Sequence, residues 1–177
     1  MTGRPETAYV GLGANLDDRL AALREAVRAL DGHRRIRVTA TSPVYETEAH
    51  VLPDQPAQPD HLNAVAAIET TLSPHGLLRA LHRIERAAGR DPDAPPWSPR
   101  PLDLDLLLYG DRQLAAPALV VPHPRLAARR FVLAPLADLA ADLVLPGLGQ
   151  TVAQALAATS DTGRVERVAP AGGRDGL

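Results

Sequence analysis

The sequence predicts a single α+β domain of the ferredoxin-like (split βαβ) type, in which helices cover one face of an antiparallel sheet. Its 177 residues fit one domain, and 45% apolar with 23% charged residues is typical of a globular chain. Between residues 8 and 109, segments with helical and with alternating apolar spacing follow in the order β-α-β-β-α-β. Because both helices cover the same face in this arrangement, the opposite face is expected to be free for chemistry.

The first predicted strand runs from Ala8 to Leu12, and a turn-forming segment separates it from a helix over Arg19–Leu30. In that helix the apolar residues recur at spacings of three and four. Ile36–Thr47 and Leu62–Leu72 contain β-branched residues in alternation and predict two further strands. A long proline-rich loop joins them.

The second predicted helix begins at Ser73 and Pro74, which are typical of an N-cap and a first turn, and ends before Gly89. The segment LDLDLLLYG then predicts the fourth strand. A hairpin, a basic turn and two helices are predicted over Arg112–Val121, Leu126–Arg130, Pro135–Ala141 and Val152–Ala158. The domain is expected to span residues 1–163, followed by a loose C-terminal tail at 164–177.

The composition excludes several classes of function. Cysteine and lysine are absent, and all 19 basic side chains are arginine. Disulfides, thiolate nucleophiles and lysine-based phosphate loops are therefore excluded. A net charge of −2 provides no general attraction for nucleic acid, and no apolar run is long enough to predict a membrane helix. The first residues lack the pattern of a signal peptide, so we expect a cytoplasmic protein that binds neither nucleic acid nor membrane.

The segment GLGAN at residues 11–15 is similar to a dinucleotide-binding fingerprint only in part. Leu16 stands where the third glycine belongs, and the parallel-sheet pattern that should follow is missing. We therefore expect Gly11 and Gly13 to allow a close backbone turn instead.

Asp103 and Asp105 are the strongest chemical signal in the sequence. Two residues apart on a strand, they share one face at about 6.6 Å along the chain, while the alternating leucines Leu102, Leu104 and Leu106 point into the core. Two neighbouring carboxylates suit Mg²⁺, which takes one or two carboxylates together with substrate phosphates. The alternative is a solvated strand face on which arginines neutralise the carboxylates.

Arginines lie on both sides of this strand in the sequence. Arg90 and Arg100 flank the loop that leads into it, and His123 and Arg129 follow in a proline-flanked segment. Arginines beside metal-binding carboxylates are typical of a polyphosphate site, although salt bridges among these residues would explain them too. Trp97 lies in the loop before the strand and predicts either a lid that closes on substrate or a static packing anchor.

Taken together, the motifs resemble the 6-hydroxymethyl-7,8-dihydropterin pyrophosphokinase (HPPK) family. The matching segments run from Ala8 to about Gly147 and are GLGAN, SPVYET, QPDHLNAV, WSPRPLDLDLLLYG and VPHPRLAARRFVLAPL. The resemblance implies transfer of a pyrophosphoryl group from ATP to the pterin hydroxymethyl group, with release of AMP, in folate biosynthesis. It also implies two Mg²⁺ ions at Asp103 and Asp105, a ferredoxin-like fold and, as we expect, a monomer.

The same resemblance implies roles for single residues. Arg90 and Arg100, with the two aspartates, would be catalytic. The ATP-binding positions would be His82, Glu85, Arg90, Arg100, Leu106, His123 and Arg129, where Leu106 is an apolar contact on the adenine side. The pterin-binding positions would be Thr47 (through its backbone), His61, Asn63, Trp97 and Phe131, with Asn63 reading the ring edge and Phe131 stacking on the ring.

This sequence departs from the family's pattern at three of these regions. His61 stands where Tyr or Phe is usual, so the pterin would stack between Phe131 and an imidazole, with less contact area and a possible dependence on pH. His82 stands where Gln is common. Pro92 replaces a lid arginine that some members have, and the prolines around it should stiffen the lid.

Two other functions are compatible with parts of the sequence. A palm-type nucleotidyltransferase also places an aspartate pair on a ferredoxin-like sheet for two metals, but it releases pyrophosphate rather than AMP. An RNA-binding module can have the same fold, but such sheets stack bases on several aromatic residues, and this chain has five aromatic residues in all and a net negative charge.

Overall fold

The computed structural model describes residues 4–49, 57–91, 93–95, 98–168 and 177. In chain order the elements are β1 Glu6–Ala14, α1 Arg19–Asp31, β2 Ile36–Thr41, β3 Tyr45–Thr47, β4 His61–Thr70, α2 Pro74–Ala87, β5 Asp103–Tyr109, β6 Leu114–Ala116, β7 Leu119–Val121, α3 Arg130–Ala140, α4 Val152–Ala158 and β8 Val165–Arg167. A single 3-10 turn covers Leu126–Ala128.

The main sheet has the strand order β5-β1-β4-β3-β8, and β2 pairs with β4 beside β3. All of these pairs are antiparallel. The ferredoxin-like α+β prediction is therefore confirmed. The single strand predicted over Ile36–Thr47 is divided into β2 and β3, because Pro43 lacks an amide hydrogen for the ladder. Ser42 bridges the break, since its Oγ accepts a hydrogen bond from the amide of Val65 at 2.9 Å.

Helices α1 and α2 cover one face of this sheet, as predicted. Asp18 caps α1 by accepting from the amide of Ala21 at 3.0 Å, and Ser73 caps α2 by accepting from Gly76 at 3.2 Å. Their apolar sides pack on Val10 and the other inward residues of β1. Burial of these side chains is the main stabilising contribution of this layer.

The opposite face is only partly free, which differs from the expectation that it would be open. Helix α3 packs Leu133 and Leu136 against Val65 and Leu107, while α4 packs behind α3. Helix α3 also begins five residues before its predicted start, with Pro135 inside it. The open part of the face lies toward the end of β1 that carries Gly13.

A loose tail was predicted to begin at residue 164, but the chain is still ordered there. Residues 165–167 form β8, which pairs with β3 along Val165↔Thr47 and Tyr45↔Arg167. Backbone hydrogen bonds hold this strand, and its mostly exposed side chains give no apolar pattern from which it could be predicted. In the part of the chain described, no helix has the length and apolar character needed to cross a membrane.

Candidate active site

A cavity of about 660 Å³ lies on the open part of the sheet face. Its walls come from β1, β3, β4, β5, the β6–β7 hairpin and the start of α3. The sequence-predicted residues that line it are Thr47, His61, Asn63, His82, Arg90, Arg100, Asp103, Asp105, Leu106, His123, Arg129 and Phe131. Two predicted residues are not among them: Glu85 is buried behind the wall, and Trp97, like Pro92, lies outside the described residues.

Two glycines of β1 form the floor of this cavity. Gly11 and Gly13 lie within the strand, so the close turn predicted for them is wrong. Gly13 pairs with Asn63 on one side and Asp103 on the other. A Cβ atom at Gly13 would lie 3.0 Å from Asn63 Oδ1. The lack of side chains therefore leaves a trough between the amide on β4 and the carboxylates on β5.

Asp103 and Asp105 lie on the same face of β5 and both line the cavity, as their spacing predicted. Their side chains are 33% and 41% exposed. Burial raises the pKa of Asp105, and the neighbouring charge of Asp103 raises it further, although His123 and Arg129 oppose this. The pair is thus an electrostatically unfavourable arrangement that a cation in the cavity would relieve.

Two arginines neutralise Asp103. Its Oδ1 accepts hydrogen bonds from Arg90 Nη1 at 2.8 Å and from Arg100 Nη1 at 3.0 Å. Salt bridging, the alternative considered for these arginines, is therefore present at Asp103. Both bonds end on the same carboxylate oxygen, and all three side chains remain partly exposed at the cavity wall. Phosphate oxygens entering the cavity could therefore take over the two guanidinium groups.

The donor set at this place fits a hard divalent cation. Within the described residues, the structure pairs Asp105 with His123, whose Nε2 lies 3.9 Å from Oδ2. In residues 4–49, 57–91, 93–95, 98–168 and 177, no cluster of three or more His, Asp and Glu side chains is arranged to hold a metal ion. Two carboxylates, completed by water and phosphate oxygens, are however the usual protein share of a magnesium site.

Glu85 does not line the cavity, which corrects its expected place at the nucleotide. It is 2% exposed, and its Oε1 accepts from the amide of Leu104 at 2.8 Å and pairs with Arg90. Burial raises its pKa to about 7, against the opposing effects of the Leu104 hydrogen bond and Arg90. Glu85 therefore holds Arg90 and β5 in place from the helix side.

His123 and Arg129 close the site on the side of α3. Nδ1 of His123 accepts from the backbone amide of Arg125 at 3.2 Å, which leaves Nε2–H directed toward Asp105 in the neutral imidazole. Burial lowers the pKa of His123, while Asp105 raises it and Arg129 lowers it. Neutral His123 and cationic Arg129 can thus both donate hydrogen bonds to an anion.

A polar pair and two rings also line the cavity. Asn63 Nδ2 donates to Thr47 Oγ1 at 2.7 Å, and both residues are buried. Thr47 was expected to contribute its backbone, whereas the structure uses its hydroxyl to orient the amide. His61 and Phe131 are partly exposed on the same cavity, and burial lowers the pKa of His61, so its ring is neutral at pH 7.

Sequence reasoning missed the role of Asn15, which is 1% exposed at the end of the GLGAN segment. Its Oδ1 accepts from the amide of Arg100 at 2.9 Å, and its Nδ2 donates to Gln58 Oε1 at 3.4 Å. It thereby links the loop that contains Arg100 to the segment that precedes His61. The signal available in the sequence was an asparagine in the segment that follows the first predicted strand.

Comparisons with known proteins show the family of the chain. The family model described as "7,8-dihydro-6-hydroxymethylpterin-pyrophosphokinase (HPPK)" matches residues 9–141. The 2-amino-4-hydroxy-6-hydroxymethyldihydropteridine pyrophosphokinase of Pseudomonas aeruginosa is 44% identical over 164 residues, which are 92% of this chain and 97% of that protein. The protein of the same name from Methylorubrum extorquens is 44% identical over 161 residues, 91% of this chain and 98% of its own length.

A crystal structure of HPPK-DHPS in complex with substrates has a TM-score of 0.68 to this chain at 10% identity. The match covers 88% of this chain and 43% of that one, so this chain spans less than half of that protein, and the likeness shows the fold alone. The family model and the curated relatives cover most of the chain. The chain therefore belongs to the 7,8-dihydro-6-hydroxymethylpterin-pyrophosphokinase family.

Proposed function

We propose that the chain transfers a pyrophosphoryl group from ATP to the hydroxymethyl group of 6-hydroxymethyl-7,8-dihydropterin and releases AMP, as a step of folate biosynthesis. The observation that carries this proposal is the arrangement of a single cavity. Carboxylates and guanidinium groups that suit a triphosphate line it, together with a buried amide that Thr47 orients and the rings of His61 and Phe131. A phosphate donor and a planar acceptor would meet in this one cavity.

The arginines of the cavity supply positive charge that can be transferred from a carboxylate to a phosphate group. Arg90 and Arg100 are bound to Asp103 at 2.8 and 3.0 Å. Phosphate oxygens attract both guanidinium groups, which can then hold the triphosphate through paired hydrogen bonds. Arg129 and the Nε2–H of His123 approach from the opposite wall. Departure of the arginines leaves the Asp103 carboxylate available for a metal ion.

Asp103 and Asp105 would hold two Mg²⁺ ions together with the triphosphate. Bound there, the metal would supply neutralisation of the phosphate charge that develops during transfer. Glu85 keeps Arg90 within reach of this place from behind, through its buried carboxylate. The residues themselves therefore serve mainly to position and neutralise, which is what phosphoryl-type transfer requires of a protein.

Asn63, His61 and Phe131 would select a flat heterocycle with hydrogen-bonding edges as the acceptor. Thr47 fixes the amide of Asn63, and Gly13 leaves room in front of Asn63 Oδ1. Phe131 provides a stacking surface, and neutral His61 provides a smaller one on the opposite side. The buried amide would discriminate against rings that lack complementary donors and acceptors, because those would leave it without a partner.

The products of the reaction test this proposal. The chain is incubated with Mg²⁺, ATP and 6-hydroxymethyl-7,8-dihydropterin, and the nucleotides are separated by chromatography. We expect AMP and the pterin diphosphate in equal amounts, and no AMP when the pterin is omitted. Release of pyrophosphate with a nucleotide attached to an acceptor would instead support the nucleotidyltransferase alternative.

We further infer that the protein is a monomer that acts in the cytoplasm on small molecules and not on nucleic acid. A sedimentation experiment tests its oligomeric state.

A further inference from the structure

The first turn of α3 is capped by a residue far away in the sequence. Arg129 stands at the N-cap position and makes no side-chain capping hydrogen bond. Instead, Oδ2 of Asp161 accepts from the amide of Arg130 at 2.8 Å. The other oxygen of Asp161 accepts from the amide of Gly163 at 2.9 Å, so the carboxylate is held by its own segment as well.

This cap lies between two residues of the cavity wall. Arg129 and Phe131 flank Arg130 in the sequence and both line the cavity. The guanidinium carbon of Arg129 lies 5.3 Å from the centre of the Phe131 ring. Phe131 is the second residue of α3, so the position of its ring depends on that of the first turn. The long Arg129 side chain can adjust to a small movement of the same turn.

The same C-terminal segment also binds the opposite wall. Arg164 forms an ion pair with Asp60, and its backbone amide donates to Glu48 Oε1 at 3.2 Å. Asp60 precedes His61, and Glu48 follows Thr47. Strand β8 then continues along β3, with Val165 opposite Thr47. Asp161, which contacts the start of α3, and Arg164, which contacts Asp60 and Glu48, are therefore only three positions apart in the sequence.

We propose that Asp161 is a positioning residue for pterin binding: by capping α3 from the C-terminal segment, it sets the separation between the ring of Phe131 and that of His61. This inference rests on the proposed function, because it takes the space between these rings as the pterin site. Asp161 lies outside residues 9–141, the part of the chain that matches the family model.

The typical energies of the two interactions indicate that the Asp161 cap contributes more to pterin binding than the Arg164 ion pair. Loss of an N-cap is typically worth about fivefold in an equilibrium constant. The ion pair of Arg164 and Asp60 has side chains that are 38% and 37% exposed, and such pairs contribute from almost nothing to about fivefold at most. We therefore expect the effect on pterin binding to follow the cap.

The test compares Asp161→Ala and Asp161→Asn with Asp142→Ala, a control that removes one exposed carboxylate just beyond the C-terminal end of α3. AMP formation is measured with varied pterin at saturating ATP. We expect Asp161→Ala to raise the pterin KM about fivefold with kcat changed less than twofold. Asp161→Asn should raise it less, since one amide oxygen can still accept, and Asp142→Ala should not change it. A merely structural role would lower the melting temperature and leave the KM below that temperature unchanged.

Unchanged pterin KM in both Asp161 variants of an active enzyme would overturn the inference. If Asp161→Ala fails to fold, Asp161→Asn decides, and a KM equal to that of the wild type overturns it. Amide hydrogen exchange provides a readout without substrate: exchange at Arg130 and Phe131 should accelerate in Asp161→Ala, and equal exchange rates would also refute the cap. A wild-type chain that forms no AMP would refute the proposed function instead, and the exchange result would stand independently.

Discussion

Replacing Glu85 by Gln should remove a pH dependence of stability that this buried carboxylate imposes. Burial raises the pKa of Glu85 from 4.5 to about 7, so the folded chain binds more protons than the unfolded chain between these values. The free energy of unfolding from this group is therefore largest below pH 4.5 and falls as the pH rises through 7. At about 1.4 kcal/mol per pKa unit, the loss is about 3 kcal/mol, most of it between pH 5 and 8.

Urea unfolding of the wild type and of Glu85→Gln at several pH values between 5 and 8 measures this effect. Other titrating groups are common to both proteins and cancel in the difference. We expect the difference in unfolding free energy to change by roughly 2 to 3 kcal/mol in favour of Glu85→Gln as the pH rises. Glu25→Gln is the matched control, because Glu25 pairs with Arg28 on an exposed face of α1 and should show no such trend.

The result also decides between two physical effects at Glu85. Burial raises the pKa of its carboxyl group, whereas the ion pair with Arg90 and the hydrogen bond from Leu104 lower it. If the ion pair outweighed burial, the wild type would gain stability relative to Glu85→Gln with rising pH. A difference that is constant within 1 kcal/mol, or that has this opposite sign, would refute our reasoning.

The remaining predictions concern activity. Asp105→Asn should lower kcat at least 100-fold, an effect of the size expected when a transition-state charge partner is lost. It should not lower the melting temperature, since burial already disfavours the charged carboxylate. AMP assays and thermal melts check this, and more than a few per cent of residual activity would contradict it. Gly13→Ala should raise the pterin KM more than Gly11→Ala, because its Cβ would lie 3.0 Å from Asn63 Oδ1, whereas that at Gly11 would lie 3.4 Å from Leu107 Cδ2; equal KM values in steady-state kinetics would contradict the trough at Gly13. His61→Tyr should tighten pterin binding in calorimetry by enlarging the stacked area, and an unchanged Kd would show that this ring does not stack.

Much of the fold was predictable because it depends on periodic burial. The apolar spacing in α1 and α2, the cap of α2 at Ser73, and the alternation in β5 led to the confirmed ferredoxin-like order. The split of the second strand was not predicted, although Pro43, which lacks an amide hydrogen, was a local signal for it. The extent of α3 was not predicted because it depends on packing with distant residues. Strand β8 was missed for the same reason, since the edge of β3 rather than its own side chains makes it a strand.

The sequence by itself determined which chemical groups are present and which of them share a face. The spacing of Asp103 and Asp105 on one strand required a paired carboxylate surface, and the motif order identified the family. Only the tertiary structure decided which partners these groups have. It placed Glu85 behind the cavity instead of in it, bound Arg90 and Arg100 to Asp103, and brought Asp161 to the start of α3. Local spacing sets the direction of a side chain along its own element, whereas pairing and burial depend on elements that meet only after folding.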